Sequence, residues 1–309
     1  MHYSVLLNES IENLNIKEDG IYVDATLGYA GHSKEILKRL KRGFLFAFDQ
    51  DINAINWSSK KLQEIGDNFL IIKSNFLYMK DELLKRGVSG VSGILFDLGV
   101  SSPQFDEAER GFSYRYDAPL DMRMDQTQEL SAYNVVNEYP FNDLVRVFTR
   151  YGEDPFAKQV ARKIEQRRME KPIETTFELV DIIKSAYPAK VLNKKGHPAK
   201  KIFQAIRIEV NNELGELEIV LEKACDLLNV NGRICVISFH SLEDRIVKDT
   251  FKRKSSVEQI DKRIPLKASE IKTADFECIN RKPILASSEE LEANNRSHSA
   301  KLRILERVK

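Results

Sequence analysis

The stretch GIYVDATLGYAGHSKEIL, residues 20–37, contains the change of pattern that decides the fold. An apolar run ends at Asp24, a turn of small residues follows, and a helix-like stretch begins near His32. A strand, a tight turn and a helix in this order form the first part of a βαβ unit. Ligands of doubly wound sheets lie outside the carboxyl ends of the strands, where small residues let the backbone approach closely. The turn is therefore a candidate ligand-binding loop, with a tight turn that binds nothing as the alternative.

Apolar runs and helix-like stretches alternate up to residue 99. The apolar runs are residues 20–28, 43–51, 68–76 and 91–99, and the helix-like stretches between them are residues 32–42, 54–66 and 79–87. Strands that alternate with short helices favour a parallel sheet, and near-continuous apolar strands favour one that is covered on both faces. The sequence therefore predicts an α/β fold built on such a sheet.

The strand pattern is absent between residues 111 and 210. Amphipathic stretches take its place at residues 141–152, 155–171 and 175–188 and in a long run at 201–228, with Asn142 and Thr175 as expected N-caps. Strand patterns return at 232–241 and 300–308, with a helix at 242–254, whereas 255–299 give no clear assignment. We therefore expect an α/β domain of residues 1–110 and 211–309. It is interrupted by a helical domain of residues 111–210 that we expect to recognise the substrate.

Composition excludes several classes of protein. The chain has 309 residues, 42% hydrophobic and 31% charged, which indicates a globular protein of more than one domain. Its three cysteines follow no metal-binding spacing and suggest no disulfide framework, so we expect a reduced protein without a metal site. The formal net charge of +1 points to no class of partner.

Targeting signals are missing from the sequence. The N-terminal segment MHYSVLLNES lacks the features of a signal peptide, and no apolar run is long enough to cross a bilayer. The sequence predicts a cytoplasmic protein with no membrane partner. It leaves the oligomeric state open, with a homodimer as one option.

The ends of the apolar runs offer side chains that suit a nucleoside. Asp24 and Asp97 end the first and fourth runs, and Asp49 ends the second, about 20 residues after the turn. A carboxylate at that position can accept hydrogen bonds from both ribose hydroxyls of an adenosine ligand. Phe76 follows the third run, where it could cover an adenine ring or belong to the core.

The charges at these strand ends indicate the kind of nucleoside. Carboxylates suit a ligand with a positive centre, such as S-adenosylmethionine with its sulfonium and amino groups. NAD instead needs a glycine-rich helix N-terminus for its phosphates, and the turn has no GxGxxG pattern. The residues alone therefore favour a methyltransferase over a dehydrogenase.

Five segments, spread over nearly the whole chain, carry a resemblance to one family. They are DATLGYAGHS (24–33), LFDLGVSSPQFDEAERGFSYRYDAPLDMRMD (95–125), GHPAKKIFQAIRIEVNNEL (196–214), ISFHSLEDRIVK (237–248) and RSHSAKLRILER (296–307). Together they resemble the MraW family, the H type of bacterial ribosomal RNA small subunit methyltransferase.

The resemblance implies both a fold and an activity. The implied fold is a class I, Rossmann-like methyltransferase domain with a helical insertion. The implied activity is S-adenosylmethionine-dependent N4-methylation of one cytidine in the decoding region of 16S rRNA, within the small ribosomal subunit. The implied cofactor contacts are Ala30, Gly31, His32, Asp49, Phe76, Asp97 and Gln104.

Two departures from the family pattern stand out. Ala25 and Ala30 occupy positions where glycine is expected, although an alanine still allows close backbone approach. Lys200 and Lys201 stand where Thr-Arg is usual, which keeps positive charge but loses the bidentate fork of arginine.

Methyl transfer from a sulfonium demands alignment and desolvation more than a strong base. The lone pair of a cytosine N4 is delocalised into the ring, so the site should hold the amino group by its hydrogens. Asp97, Ser101 and Ser102 are the first candidates for this role, and His240 is a second. The alternative for SFHSLEDR (238–245) is that it caps the next helix, with Ser241 as the N-cap and Asp244 at the third helical position. The sequence leaves open which group holds the amine or accepts the proton.

An RNA substrate requires aromatic and basic side chains. The segment GFSYRY (111–116) could receive an unstacked base, or its aromatic rings could pack between the two domains. Basic residues concentrate at 157–171, 190–201 and 245–254, and the second of these stretches contains no acid. The expected rRNA contacts are Arg115, Lys194, Lys195, Lys200 and Lys201.

Two other functions stay open on the sequence. One is a methyltransferase of DNA or protein, because the fold does not dictate the acceptor. DLGVSS (97–102) differs from the D/N/S-P-P-Y/F loop of DNA amino-methylating enzymes, which argues against DNA. The other is an RNA-binding ribosome assembly factor that keeps the cofactor only for structure. The sequence also leaves open whether free rRNA or only the assembled subunit is accepted, and whether the insertion moves.

Overall fold

The chain forms two compact units in a computed structural model that describes residues 4–98, 108–193, 196–257 and 273–309. We call Met1–Gly99 with Leu214–Lys309 the sheet unit, and Val100–Glu213 the helical unit. The insertion that the sequence predicts, residues 111–210, falls inside the helical unit, which begins earlier and ends slightly later. The role of the helical unit in substrate recognition stays a prediction.

The sheet unit is built on seven strands. They are β1 (Ile21–Asp24), β2 (Phe44–Asp49), β3 (Phe69–Lys73), β4 (Val91–Asp97), β5 (Leu228–Ser238), β6 (Phe276–Cys278) and β7 (Lys301–Arg307). Their order across the sheet is β3-β2-β1-β4-β5-β7-β6. The first five are parallel, and β7 is antiparallel to both β5 and β6. The strand order reverses between β1 and β4, which is where ligands of doubly wound sheets bind.

Both faces of this sheet are buried, as the apolar runs predict. Phe46 and Phe48 of β2 belong to one core cluster, and Leu45 and Ala47 belong to another. Successive side chains of a strand point to opposite faces. Two separate clusters on alternate residues therefore mean that helices cover the sheet on both sides.

The described residues also form helices in both units. In chain order they are α1 (Leu7–Asn13), α2 (Gly31–Leu37), α3 (Ile52–Gln63), α4 (Met79–Leu84), α5 (Ala132–Glu138), α6 (Phe141–Arg150), α7 (Ala157–Glu170), α8 (Thr176–Ala186), α9 (Ala189–Leu192), α10 (Lys200–Asn211), α11 (Glu213–Leu227), α12 (Ser241–Lys254) and α13 (Ser288–Ala293). Of these, α1, α5, α9 and α13 were not expected from the sequence, and neither was β6. None in the described part of the chain is long and apolar enough to span a membrane.

The helical unit has its own core and, over its described residues, no named strand. Phe112 is 4% exposed and belongs to this core, so it packs within the helical unit. The long amphipathic run at 201–228 is two helices, because Asn212 adopts a left-handed conformation with φ 48° and ends α10. Asparagine tolerates this conformation better than most residues.

The two expected N-caps in this unit have different outcomes. Thr175 is confirmed as the N-cap of α8, where it forms a capping box with Glu178. The prediction for Asn142 is wrong, since the N-cap of α6 is Pro140, two residues earlier, and Asn142 lies inside the helix. The carbonyl of Pro140 accepts the first helical hydrogen bond, from the N–H of Leu144.

Candidate functional site

Three aspartates end neighbouring strands at one edge of the sheet. Asp24 of β1 is paired in register with Leu95, two residues before Asp97 ends β4. Asp49 ends β2 on the other side of β1. The structure therefore brings together the carboxylates that the sequence places at successive strand ends.

Asp24 fixes the turn that follows β1. Its carboxylate is 1% exposed and accepts hydrogen bonds from the N–H of Thr26 at 3.1 Å and the hydroxyl of Ser33 at 2.6 Å. Burial raises the pKa of Asp24, whereas the bonds from Ser33 and Thr26 act to lower it. Because Ser33 lies in the first turn of α2, this one carboxylate ties both ends of the loop together.

The loop itself contains two residues with left-handed backbone. Gly28 has φ 48°, and among the described residues a Cβ atom placed on it would meet nothing closer than the Thr26 carbonyl oxygen at 4.0 Å. No side chain of the described residues therefore covers the backbone closely at this point. Ala30 has φ 58° and is fully buried, so its methyl group is held in a conformation that costs an L-residue about 1–2 kcal/mol. The alanine is accommodated where glycine is expected, at the cost of this strain.

Asp49 links the end of β2 to the same loop. One carboxylate oxygen accepts the N–H of Gly28 at 2.9 Å, and the other accepts the N–H of Asp51 at 2.9 Å. Burial raises the pKa of Asp49, and the backbone bonds from Asp51, Gly28 and Gln50 act to lower it. Asp51, rather than Asp49, is the N-cap of α3 and accepts the N–H of Asn53.

His32 is buried between the N-terminal segment and Asp97. Its Nε2 atom lies 3.1 Å from the carbonyl oxygen of Val5, and its Nδ1 atom lies 3.9 Å from Asp97 Oδ2. Burial lowers the pKa of His32, although Asp97 acts to raise it. A carbonyl oxygen only accepts, so in the neutral ring Nε2 carries the hydrogen. Nδ1 then presents a lone pair towards the carboxylate of Asp97.

Asp97 is held from the β1 loop as well. Its backbone N–H donates to the hydroxyl of Thr26 at 2.7 Å, and its side chain is 25% exposed.

Gly31, next to His32, packs so tightly against Ser4 that a Cβ atom would lie 1.7 Å from the serine hydroxyl oxygen. Close packing thus fixes the backbone on both sides of the loop.

Phe76 lies just beyond β3. It begins a short 3-10 helix whose N-cap is Asn75, and its ring packs edge-to-face on Phe96 with centroids 6.1 Å apart. The ring is half-buried, packed against the core on one side. The contact with Phe96 shows that Phe76 packs against the core. That Phe76 also covers an adenine ring stays a prediction.

His240 is the N-cap of α12, which corrects the expected cap. Its Nδ1 atom accepts the N–H of Glu243, while the Glu243 carboxylate accepts the N–H groups of Phe239 and His240. The predicted cap pair Ser241 and Asp244 is therefore shifted by one residue, because the imidazole nitrogen can act as the capping acceptor. His240 Nε2 also lies 3.1 Å from Glu243 Oε1. Because Nδ1 serves as the capping acceptor, the hydrogen bonds favour capping over catalysis.

Asp244 instead pairs with β7. Its two carboxylate oxygens contact Arg303, with Oδ1 2.6 Å from Nε, and Lys301 lies 3.2 Å from Oδ2. Burial acts to raise the pKa of Asp244, but Arg303 and Lys301 hold it below its usual range. The pair joins α12 to the antiparallel strand of the sheet.

Some predicted site residues lie outside the described residues. These are Ser101, Ser102, Gln104, Lys194 and Lys195. Of the remaining RNA candidates, Arg115, Lys200 and Lys201 are all exposed on the helical unit. The Lys201 ammonium donates to the carbonyl of Glu153 at 2.8 Å.

An aromatic pair beside the loop was missed by sequence reasoning. The rings of Tyr29 and Trp57 pack edge-to-face with centroids 5.1 Å apart, and Trp57 is 45% exposed. Ser58, the next residue of α3, donates to the carbonyl of Gly28 at 2.7 Å. The only available signal was that Trp57 is the single tryptophan of the chain.

The sequence profile of the MraW methylase family matches residues 1–308. The chain belongs to the MraW methylase family. A relative from Exiguobacterium sibiricum, named ribosomal RNA small subunit methyltransferase H, is 58% identical over 308 residues. The match covers 100% of this chain and 98% of that protein. The match confirms the resemblance noted in the sequence. It also confirms the prediction that the chain is an S-adenosylmethionine-dependent methyltransferase.

Two solved structures resemble the chain more distantly. An rRNA methylase from Streptococcus thermophilus is 12% identical, with a TM-score of 0.43 and full coverage of both chains. An S-adenosylmethionine-dependent O-methyltransferase from Thermotoga maritima is 8% identical, with a TM-score of 0.41. The match covers 100% of this chain and 68% of that protein. The class I, Rossmann-like fold with a helical insertion is confirmed by the strand order together with the MraW family match.

Proposed function

We propose that this chain transfers a methyl group from S-adenosylmethionine to N4 of one cytidine in the decoding region of 16S rRNA, within the small ribosomal subunit. The observation that carries the proposal is the edge of the sheet where Asp24, Asp49 and Asp97 end neighbouring strands, beside the loop that contains Gly28. The Exiguobacterium relative, with its rRNA methyltransferase name, supports the choice of acceptor.

The loop and Asp49 fit the adenosine part of the cofactor. The Asp49 carboxylate accepts backbone N–H groups on both of its oxygens, and of its roughly four lone-pair sites at least one is left for a ribose hydroxyl. Gly28 offers backbone without a side chain on the side where a nucleoside would approach. Phe76, half-buried beyond β3, would cover one face of the adenine ring.

His32 and Asp97 fit the amino acid part. The Nδ1 lone pair and the Oδ2 atom are two acceptors 3.9 Å apart, a spacing that a single donor group can bridge. A primary ammonium group has three N–H donors and could donate to both acceptors at once. These two residues would therefore hold the amino group of S-adenosylmethionine, whose bound sulfonium supplies the electrophilic methyl group.

The acceptor amine would be held close to the same strand end. Asp97 is followed in the sequence by Ser101 and Ser102, so carboxylate and hydroxyl oxygens lie near each other in the chain. Their part is to accept the N4 hydrogens and keep the nitrogen lone pair in line with the methyl group. The proton can leave after attack, so no strong base is required.

The cysteines support an amino group over a ring carbon as the acceptor. Methylation at C5 of cytosine needs a nucleophile that first adds to the ring, usually a thiolate. Burial raises the pKa of Cys225 and of Cys235 to about 12, and both lie in the core. Cys278 lies on β6, at the far edge of the sheet from β1. Attack by the exocyclic N4 requires none of them.

The helical unit would contact the rRNA, and the protein would act in the cytoplasm. Net charge gives no general attraction to RNA, so the contact depends on local positive charge. Arg115, Lys200 and Lys201 are exposed on this unit, and Lys194 and Lys195 belong to the same acid-free stretch of sequence.

The test uses methyl-labelled S-adenosylmethionine with three acceptors: undermethylated small subunits, DNA and a protein mixture. The proposal predicts label in 16S rRNA alone. Label in DNA or protein but not in 16S rRNA would contradict it. Tight cofactor binding without any transfer would instead favour an RNA-binding assembly factor.

A further inference from the structure

We infer that a stacked pair of rings on the helical unit, Tyr114 with His197, is a platform on which an unpaired RNA base stacks. The two rings lie with centroids 4.2 Å apart and planes at 11°. We call this pair the stacking platform. The inference rests on the proposed function, because the RNA substrate is what supplies the partner.

The platform is anchored to the core from below. Phe203 of α10 is 3% exposed and packs edge-on against Tyr114, with centroids 5.8 Å apart and planes at 89°. The N–H of Ala199 donates to His197 Nδ1 at 3.3 Å, which restrains the imidazole from its own loop. A ring pair held in this way loses little freedom when a third ring stacks on it, which favours binding.

The platform is also partly open to solvent. Tyr114 and His197 are both half-buried. They keep this exposure although Tyr114 packs on Phe203 of the core and His197 accepts a hydrogen bond from Ala199, next to the start of α10. Two rings that served only to fill the core would be expected to be buried like Phe112, which is 4% exposed. Half-exposed, parallel aromatic rings are the usual surface for base stacking in proteins that bind single-stranded RNA.

Positively charged residues near the stacking platform favour an anionic partner. Arg115 follows Tyr114 in the chain, Lys200 begins α10 three residues after His197, and Lys184 lies on α8. Burial lowers the pKa of His197, and the positive charges of Lys184 and Arg115 lower it further. The imidazole of His197 is therefore neutral at neutral pH, although the positive side chains of Lys184 and Arg115 lie near enough to act on it. A flat neutral ring beside cations matches a base and its phosphates.

The test measures RNA binding separately from methyl transfer. The probe is a fluorescein-labelled oligocytidylate, with binding followed by anisotropy at several salt concentrations. Base–aromatic stacking is worth about 1–3 kcal/mol, so His197→Ala and Tyr114→Ala should each weaken binding by about 5- to 150-fold. His197→Phe keeps a flat ring and should stay within about threefold of wild type.

Salt dependence separates stacking from phosphate contact. His197→Ala removes no positive charge, so the slope of log Kd against log salt should stay at its wild-type value. Lys200→Ala should reduce that slope by about 0.7, the value for one lost contact to a single strand. Tyr133→Ala is the matched control and should bind RNA like wild type, because this tyrosine of α5 in the helical unit is 37% exposed and lies outside the pair.

The outcomes separate this inference from the proposed function. Wild-type RNA binding by both alanine variants, with unchanged circular dichroism and Tm, would overturn the platform while leaving methyl transfer untouched. Equal losses in His197→Phe and His197→Ala would also overturn it, because stacking would then not be the cause. If wild-type protein methylates no rRNA but these variants still lose RNA affinity as stated, the proposed function fails and the platform stands.

Discussion

The carboxylate of Asp49 accepts a hydrogen bond of 2.9 Å from the backbone N–H of Gly28. This bond joins the end of β2 to the loop after β1, so two parts of the candidate cofactor site hold each other in place. Ser58 strengthens the link by donating to the Gly28 carbonyl at 2.7 Å. A loop without the GxGxxG pattern is thereby fixed through side chains of the neighbouring strand and helix.

Removing the Asp49 carboxylate should weaken cofactor binding. Asp49→Ala loses the expected ribose acceptor and also releases the Gly28 N–H. Hydrogen bonds to charged groups contribute about 1.5–3 kcal/mol, so we expect Kd for S-adenosylhomocysteine to rise by about 10- to 150-fold in calorimetry.

Asp51→Ala is the control for that experiment. Asp51 caps α3 two residues further on, and its loss should cost about 1 kcal/mol of stability. Cofactor affinity should stay within about twofold of wild type, well inside the effect of a lost charged hydrogen bond. Equal losses of affinity in the two variants would show that Asp49 acts only through the fold.

Trp57 should report cofactor binding by its fluorescence. It is the single tryptophan, and its ring lies 5.1 Å from that of Tyr29, between Gly28 and Ala30 in the loop. Ordering of this loop around a ligand should change the emission of Trp57, with the same Kd as calorimetry. Trp57→Phe should bind the ligand without the signal. An unchanged spectrum at calorimetric saturation would mean that the loop does not respond.

His240 should be replaceable by another capping residue. Asparagine is a good N-cap, so His240→Asn should keep kcat near wild type and lose little stability. His240→Ala should lower the free energy of unfolding by about 1 kcal/mol, as loss of a cap does. A large drop in kcat for the asparagine variant, with Tm unchanged, would return His240 to the catalytic candidates.

The Asp244–Arg303 pair should make stability depend on acid pH. Its partners hold the pKa of Asp244 below the usual 3.8, so the pair stabilises the fold above that pH. The contribution is lost as the pH falls through the lower, folded-state pKa. Arg303 is 7% exposed, and Asp244→Asn should cost about 2–4 kcal/mol at neutral pH, with the difference from wild type shrinking in acid.

Asp249→Asn provides the matched comparison on the same helix. Asp249 is 62% exposed and lies 3.8 Å from Lys248, a surface pair of little value. The Tm of this variant should match wild type at every pH. A difference between Asp244→Asn and wild type that persists undiminished at low pH would contradict the ionic origin of the effect.

Local signals in the sequence were enough for the sheet and for part of the site. Apolar runs that end in a carboxylate placed β1, β2 and β4, and Thr175 was predicted as the N-cap of α8. These features depend on residues close together in the chain, so their pattern is visible in the sequence.

The features that were missed depend on finer geometry or on distant residues. Asn212 divides two helices through a backbone angle that the apolar pattern does not reveal. His240 displaces Ser241 as a cap because its imidazole reaches the N–H of Glu243. Tyr114 and His197 meet only because the helical unit folds one segment against the other.

The central claim concerns the atom that receives the methyl group. After reaction with undermethylated small subunits, 16S rRNA can be digested to nucleosides and compared with N4-methylcytidine and 5-methylcytidine by chromatography and mass spectrometry. The account predicts one new N4-methylcytidine per 16S rRNA, absent when Asp97→Ala replaces the wild-type enzyme. New 5-methylcytidine, or methylation of another base, would contradict it.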